Sequence, residues 1–521
     1  MNTILVRRLL LPKSTLLLGL LFFGIYVSFF FNIGVPPLFD WDEGAFSEAT
    51  REMLASNNWL SVTLNGDPRY DKPILTYWLQ GLSAGLLNLS ESSLRLPSAI
   101  AASIWVLLIY IFGRTFFSQS GGFYAAWMAV SSIGICLIGR AATADAILNL
   151  LITMSMYASL RYIRDKKIRW LYTAYVFVAL GFLTKGPIAV LIPLATTLIY
   201  FVSLKDWRTW VRSISNPYAL IIFSAIALPW YAFMFATRGW EFFDGFFLTH
   251  NINRFQGPME GHGGSLVYYM PIFLIMVFPF MIPAVRVLFN YRTYWTDPVT
   301  RFLLIWFLFV IIFFSLSGTK LPHYILYGLP GMLLLMGREL ESFVRYRWIL
   351  IPASVVFLAF LFLPGLLEYL IPKIDNRVQG ALWNEADLSF HWGYRAFLSV
   401  AGVGFLIFSL INFASQKSLA LSAGLVMPFV LSAWLLPKAG EIMQKPIKEA
   451  GTLVAANGWI AVQQDLQSPS FSVYANQIVK DRKMMPGEVT LILYSNYDEQ
   501  SNFDIVFESR GLALIRLREN N

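Results

Sequence analysis

The chain has 521 residues, of which 57% are hydrophobic and 14% charged, with a formal net charge of +9. A soluble domain usually carries about 25% charged residues, so this composition excludes a soluble globule and indicates a membrane protein. A single cysteine, Cys136 inside a predicted span, excludes a disulfide scaffold and cysteine metal clusters.

Apolar runs long enough to cross a bilayer, about 20 residues each, recur from Leu16 to Pro437. They predict thirteen spans, near 14–33, 93–112, 121–138, 144–160, 170–184, 186–203, 217–235, 266–289, 300–316, 323–337, 347–370, 396–413 and 419–437. The first has a basic start but no small-residue cleavage site after it, which reads as an uncleaved span. Lys and Arg near span ends are retained on the cytoplasmic side. Starting with the N-terminus inside collects Arg7, Arg8 and Lys13, then the 161–169 run, then Lys205, Arg208 and Arg212, then Arg292 and Arg301, then Arg338, Arg345 and Arg347. An odd number of spans leaves the segment from Lys438 onward outside. The positive net charge is largely this bias, so it implies contact with anionic membrane lipids and no nucleic acid.

Two extramembrane pieces divide the chain into a membrane part, 1–437, with a first outer loop over 34–92, and a tail, 438–521. In the loop, Phe46, Ala49, Met53 and Leu54 share one helical face and Glu48, Arg51 and Glu52 another, which predicts a short helix lying along the interface. Ile74 to Leu89 forms a second such piece. In the tail, Phe471 to Tyr474, Val489 to Tyr494, Phe503 to Phe507 and Leu512 to Leu517 read as strands of a small mixed α/β domain.

The residues able to carry chemistry map to one side of the membrane. The first loop holds Asp40, Asp42 and Glu43, then Arg69-Tyr70-Asp71-Lys72; the fourth span opens on Arg140 and Asp145. Lys185 lies in the turn between spans five and six, His250, Asn251 and Arg254 follow span seven beside the glycine-flanked His262, and Lys320, His323 and Tyr324 open span ten. Each has a structural alternative: Asp42 could cap the helix it precedes, Asp145 could rest at the interface with Arg140, and the lysines could reach up to the headgroups. His323 could be an interfacial hydrogen-bonding histidine, and the 250–254 loop merely solvated. Carboxylates facing cations at a lipid interface also suit a reaction in which a lipid phosphate leaves. The cations would neutralise the leaving phosphate, and a carboxylate could take a proton from the attacking group or hold a divalent cation. No nucleotide-cradling motif, HExxH or paired CxxC occurs, so the donor should be lipid-linked and no nucleotide is expected.

WDEGAFSEATREM, YDKPILTYW, RLPSA, TADA, TKGP, HNINRF and GTKLPHYIL occur in this order. The set resembles the bacterial membrane glycosyltransferases of the C-type fold, similar to aminoarabinose transferases and protein O-mannosyltransferases. That resemblance covers residues 14–340 well and implies an α-helical polytopic fold in the bacterial inner membrane, with the N-terminus cytoplasmic and the C-terminus periplasmic. It implies Asp42 and Asp145 as catalytic acidic residues, and Lys72, Arg254, Lys320 and Tyr324 at the donor phosphate. Glu43, Tyr70, Lys185, His250, Asn251 and His323 are supporting candidates, with Asp71 and Glu43 as candidate ligands of a divalent metal. The chain departs from aminoarabinose transferases at Tyr70-Asp71 and at Asn251, both bearing on metal binding and on the sugar. The expected activity is transfer of a sugar from polyprenyl (undecaprenyl) phosphate, with inversion, to a periplasmic acceptor: lipid A, another glycolipid or glycan, or a protein hydroxyl. A lipid-linked glycan transporter is the reading from another class, but transporters bind near the bilayer midplane, whereas here charge gathers at one face.

Overall fold

The computed structural model describes residues 13–40, 42–253, 257, 263–343, 345–373, 377–384, 386–411, 416–464, 466–496 and 502–518. Helices dominate. Among the described residues six are long and apolar enough to cross a membrane: Glu91–Phe116, Asp145–Asp165, Pro217–Thr249, Pro298–Leu316, Trp392–Leu410 and Gln416–Met443. Two further pairs qualify as single spans across bends of 65° after Ser131 and 58° after Phe360, giving up to eight. This is a multi-pass membrane protein.

Several expected spans are broken, and the breaks have local causes. The run 266–289 divides into Tyr269–Met276 and Met281–Phe289, with Pro279 between them. Proline has no N–H for the helical ladder and its ring clashes with the preceding turn. The run 323–337 begins as a tight 3-10 turn, Pro322–Tyr327, and becomes α-helical only from Leu329. That turn brings His323, Tyr324 and Tyr327 to the start of the helix, where the site lies.

Large aromatic side chains such as Trp105, Phe112, Phe273 and Trp306 fill the membrane core and are fully buried. Small residues set the closest helix approach, as is usual where lipid supplies no hydrophobic drive between helices. A Cβ on Gly113 would stand 2.5 Å from the Cα of Gly122, and one on Gly122 2.5 Å from the Tyr110 carbonyl oxygen. The helices Glu91–Phe116 and Gln119–Ser131 thus meet backbone to backbone.

The first loop departs from the expected interfacial helix. The helix Asp42–Ser56 is present, but Glu48, Arg51 and Glu52 are as buried as Phe46 and Ala49. Arg51 pairs with Glu48 at 2.7 Å, and Glu52 accepts from the Thr63 hydroxyl and the Gly66 amide. Its polar face is covered by the short hairpin of β1 (Thr63–Leu64) and β2 (Asp67–Pro68) and by a helix of the tail, Pro469–Ala475. That tail helix takes up the segment expected as a strand at Phe471 to Tyr474. Pro469 in its first turn is preorganised for a helix and missing only an N–H that would be unpaired there anyway.

The other three expected tail strands are present, and two short ones were not anticipated. β3 (Ala461–Gln463), β4 (Lys480–Asp481), β5 (Val489–Leu493), β6 (Phe503–Ser509) and β7 (Leu512–Leu517) form one mixed sheet in the order β4-β3-β5-β7-β6. β4, β3 and β5 run parallel, and β5, β7 and β6 antiparallel. The helix Lys445–Asn457 packs on the sheet through Ile447, Ala450 and Val454.

The glycine contact offers a test of the packing. Gly122→Leu should abolish recovery of monodisperse protein in detergent, because a side chain there meets backbone that cannot move aside. Gly404→Leu, where a Cβ would meet nothing within 4 Å, should behave as wild type on size-exclusion chromatography.

Candidate active site

The site is built where three helix ends meet the first loop. Asp42 and Glu43 occupy the first turn of Asp42–Ser56, a position at which the unpaired amides and the helix dipole favour negative charge. Their side chains part company. Glu43 is buried and its carboxylate is fully engaged: Arg95 donates to both oxygens at 2.7 Å, and the amides of Ala142 and Phe39 donate at 2.8 and 2.9 Å. Arg95 spends its remaining donors on the carbonyls of Ile33, Pro36 and Pro37, at 2.6 to 2.8 Å. Asp42 is exposed and has no hydrogen-bond or ion-pair partner among the described residues.

Asp145 and Lys185 are brought together by a helical hairpin. Asp145 opens the helix Asp145–Asp165 and Lys185 closes the next one, Ile168–Lys185, so antiparallel packing returns the last residue to the first. Lys185 Nζ donates to Asp145 Oδ1 at 2.6 Å and lies 2.9 Å from the Tyr327 hydroxyl, which donates to the same Asp145 oxygen at 2.7 Å. His323 Nε2 stands 3.7 Å from that oxygen, and the Tyr324 ring lies 5.7 Å from Lys185 Nζ. Arg140, the partner expected for Asp145, is engaged elsewhere. It donates to the carbonyls of Ser28 and Phe31 and to the Ser432 hydroxyl, tying the first helix to the Gln416–Met443 span.

Asp42 and Asp145 line one cavity of about 310 Å³ together with Asp40, Glu43, Arg95, Arg140 and His323. Tyr324 and Lys185 flank it through the Asp145 cluster. Lys72, Tyr70, Asp71 and Lys320 are not among its lining residues. Asp71 is paired with Arg69 at 2.7 Å and lies 3.4 Å from Lys72, while Tyr70 packs edge-on against Phe242. Lys320 Nζ is buried and donates to the Ser317 carbonyl at 2.6 Å. Arg254, His262 and the side chains of His250 and Asn251 lie outside the described residues.

The two candidate metal ligands, Glu43 and Asp71, do not fit that role. Glu43 offers both oxygens to Arg95 and two amides, and Asp71 is committed to Arg69. Among the described residues no group of three or more His, Cys, Asp or Glu side chains could hold a metal ion.

Two residues, Arg95 and Tyr327, were missed in the sequence, and a third, Asp40, was named there without its partners. Arg95 lies in the quoted RLPSA motif, a lone cation at the head of an apolar run, which was a usable signal. Tyr327 follows Tyr324 by one turn and could have been placed beside it. Asp40 is held by the tail: Ser470 donates to it through its amide at 2.9 Å and its hydroxyl at 2.7 Å, and Ser468 adds a third bond. Withdrawal from water pushes the Asp40 carboxyl up to about 6 in spite of these donors.

Residues 71–233 match the family described as dolichyl-phosphate-mannose-protein mannosyltransferase. An uncharacterized protein of Aquifex aeolicus is 30% identical over 325 residues, covering 62% of this chain and 73% of that one. The undecaprenyl phosphate-alpha-4-amino-4-deoxy-L-arabinose arabinosyl transferase of Yersinia enterocolitica is 30% identical over 336 residues, covering 63% of this chain. The match spans 59% of that relative's length. The chain belongs to the aminoarabinose-transferase-like C-type membrane glycosyltransferase family. The crystal structure of ArnT from Cupriavidus metallidurans bound to undecaprenyl phosphate superposes with a TM-score of 0.80 at 17% identity, over 96% of this chain and 97% of that one. The fold of this glycosyltransferase-family chain is therefore the fold of that protein. The family match takes in Lys72, Asp145 and Lys185 but ends before His323 and Tyr327.

The buried pair gives a second test. Arg95→Leu leaves the Glu43 carboxylate buried without its cation, a change that costs about 3–5 kcal/mol, and should lower the melting temperature in detergent sharply. The double variant Glu43→Leu/Arg95→Leu should recover part of that loss, as measured by differential scanning fluorimetry.

Proposed function

We propose that this protein transfers a sugar from polyprenyl phosphate, with undecaprenyl phosphate as the carrier, to an acceptor on the periplasmic face of the bacterial inner membrane. The observation that carries this reading is that a carboxylate without a hydrogen-bond or ion-pair partner among the described residues, Asp42, lines one cavity with the compensated Asp145 cluster. The acceptor oxygen attacks the anomeric carbon from the face opposite the phosphate. The C–O bond to the phosphate breaks, its electron pair leaves with the polyprenyl phosphate, and the configuration inverts. Asp42 takes the acceptor's proton when the acceptor is a hydroxyl; an already ionised phosphate acceptor needs less help. Asp145 orients Lys185, His323 and Tyr327 and does not itself take the proton, because its charge is already balanced at 2.6 Å by Lys185. Lys72, Arg254, Lys320 and Tyr324 serve the donor phosphate, an assignment that rests on their motifs.

The name of the Yersinia relative and the undecaprenyl phosphate bound to the Cupriavidus protein support this donor class, and lipid A or another glycolipid or glycan is the acceptor we favour. The protein-mannosyltransferase family match over 71–233 favours a protein hydroxyl as the second reading. With the N-terminus cytoplasmic, an odd number of crossings, thirteen in our reading, leaves residues 438–521 as a periplasmic α/β domain beside a membrane domain over 1–437. No step requires a metal held by Glu43 or Asp71.

Purified protein in liposomes, supplied with radiolabelled undecaprenyl-phosphate sugars and either lipid A or periplasmic protein, tests the reading. With a hydroxyl acceptor, Asp42→Asn should lower turnover by about 10²- to 10⁴-fold, the usual worth of a general base, and with a phosphate acceptor by less. Turnover unchanged in Asp42→Asn would remove that residue from its role.

A further inference from the structure

The tail does more than sit on the membrane part. Asp40 stands two positions before Asp42 and lines the same cavity. Its described partners come from residues more than 420 positions later in the chain: the Ser468 hydroxyl, and the Ser470 amide and hydroxyl. The contact is reinforced on both sides. The Leu38 amide donates to the Tyr474 hydroxyl at 2.8 Å, Tyr474 donates in turn to Glu91 at 3.0 Å, and Ser472 donates to Asn65 at 2.9 Å.

Gly44 closes the arrangement. It lies in the first turn of the Asp42–Ser56 helix, and a Cβ there would run into the Asp40 carboxylate and stand 2.9 Å from Ser470 N. Only hydrogen at this position lets the helix, Asp40 and the tail meet. On the other side Glu43 is fixed by Arg95. The backbone carrying Asp42 is therefore anchored just before it by the tail and just after it by the ion pair, while the Asp42 carboxylate itself is left to the cavity.

We propose that the Ser468-Pro469-Ser470 turn is a positioning element of the active site, which holds Asp40 and through it sets where Asp42 stands. Asp40 and the two serines act through Asp42, so they are positioning residues and not catalytic ones. The inference rests on the reading of Asp42 as the acting carboxylate. It makes the tail part of the site instead of an appendage, and makes activity depend on the tail being docked.

The test uses the full-length protein in liposomes and the radiolabelled undecaprenyl-phosphate sugar that wild type turns over. Ser468→Ala/Ser470→Ala and Gly44→Ala, one deleting the contact and the other wedging it open, should each lower kcat about 10- to 100-fold, the scale of a misplaced catalytic group. The donor KM should stay within about twofold, because uniform binding is untouched. Asp40→Ala should behave like them, and Asp40→Asn, which keeps the shape and an acceptor for the Ser470 amide, should recover most of kcat. A second readout needs no turnover: in Asp42→Cys protein, the rate of thiol modification should change several-fold when the two serines are also replaced. If the serine variant keeps wild-type kcat and leaves the thiol modification rate of the Asp42→Cys protein unchanged while Asp42→Asn is inactive, the positioning role is overturned and the function stands. If Asp42→Asn is fully active, it is the functional reading that fails, and the modification rate still decides whether the tail sets this position. Should the double serine variant not fold, the Gly44→Ala and Asp40→Asn pair carries the same comparison.

Discussion

Arg95 is the constraint on which the first loop depends. A guanidinium buried at the head of a membrane span carries a desolvation penalty of several kcal/mol, and here it is met by Glu43 and three backbone carbonyls at once. The geometry this imposes is specific. The carbonyls belong to the chain just before the Asp42–Ser56 helix and Glu43 to its first turn, so one side chain fixes both how the chain leaves the first membrane helix and how it turns into the next. Asp42 is displaced from that pairing by a single residue. It shares the helix end but not the partner, which leaves its carboxylate available to the cavity.

Asp42 and Asp145, two of the four acidic residues that line the cavity, are thereby given different surroundings. Asp145 is compensated by a lysine, a tyrosine hydroxyl and a nearby histidine, all within 3.7 Å. Such a group organises its neighbours and presents their positive charge, and is poorly suited to accepting a proton. Asp42 has no such neighbours among the described residues, and its carboxylate lines the cavity. A cavity with one carboxylate paired and another without a partner among the described residues is what the proposed glycosyl transfer from a lipid phosphate would use, with a base on one side and fixed positive charge on the other.

Much of this was legible in the sequence, because membrane insertion and motif order leave strong marks. The polytopic character followed from apolar runs, and the convergence of Asp42, Asp145, Lys185 and His323 agrees with the single side of the membrane that the sequence predicts for them. What failed to read out was pairing. Arg140 is five residues from Asp145 and was expected to serve it, yet the non-helical bend over 141–144 separates their helices, Arg140 turns toward Ser28 and Ser432, and the hairpin supplies Lys185 instead. Helix amphipathicity misled in the same manner. Glu48, Arg51 and Glu52 form a polar face in the Asp42–Ser56 helix, but Glu48 and Arg51 pair with each other, the hairpin donates to Glu52 and the tail helix packs over them, so polarity did not mean exposure. The tail contact to Asp40 joins residues 428 and 430 positions apart, and no local pattern could announce it.

The central claim is that Asp42 and the Asp145 cluster face each other across one small cavity, with Glu43 and Arg95 holding the loop in place. Its most direct measurement is thiol cross-linking of Asp42→Cys/His323→Cys protein in detergent with a short bifunctional reagent, since native Cys136 is buried. The account expects an intramolecular cross-link in high yield, and much less when Arg95→Leu is added. Absence of the cross-link, with both introduced thiols shown to be modified singly, would contradict it.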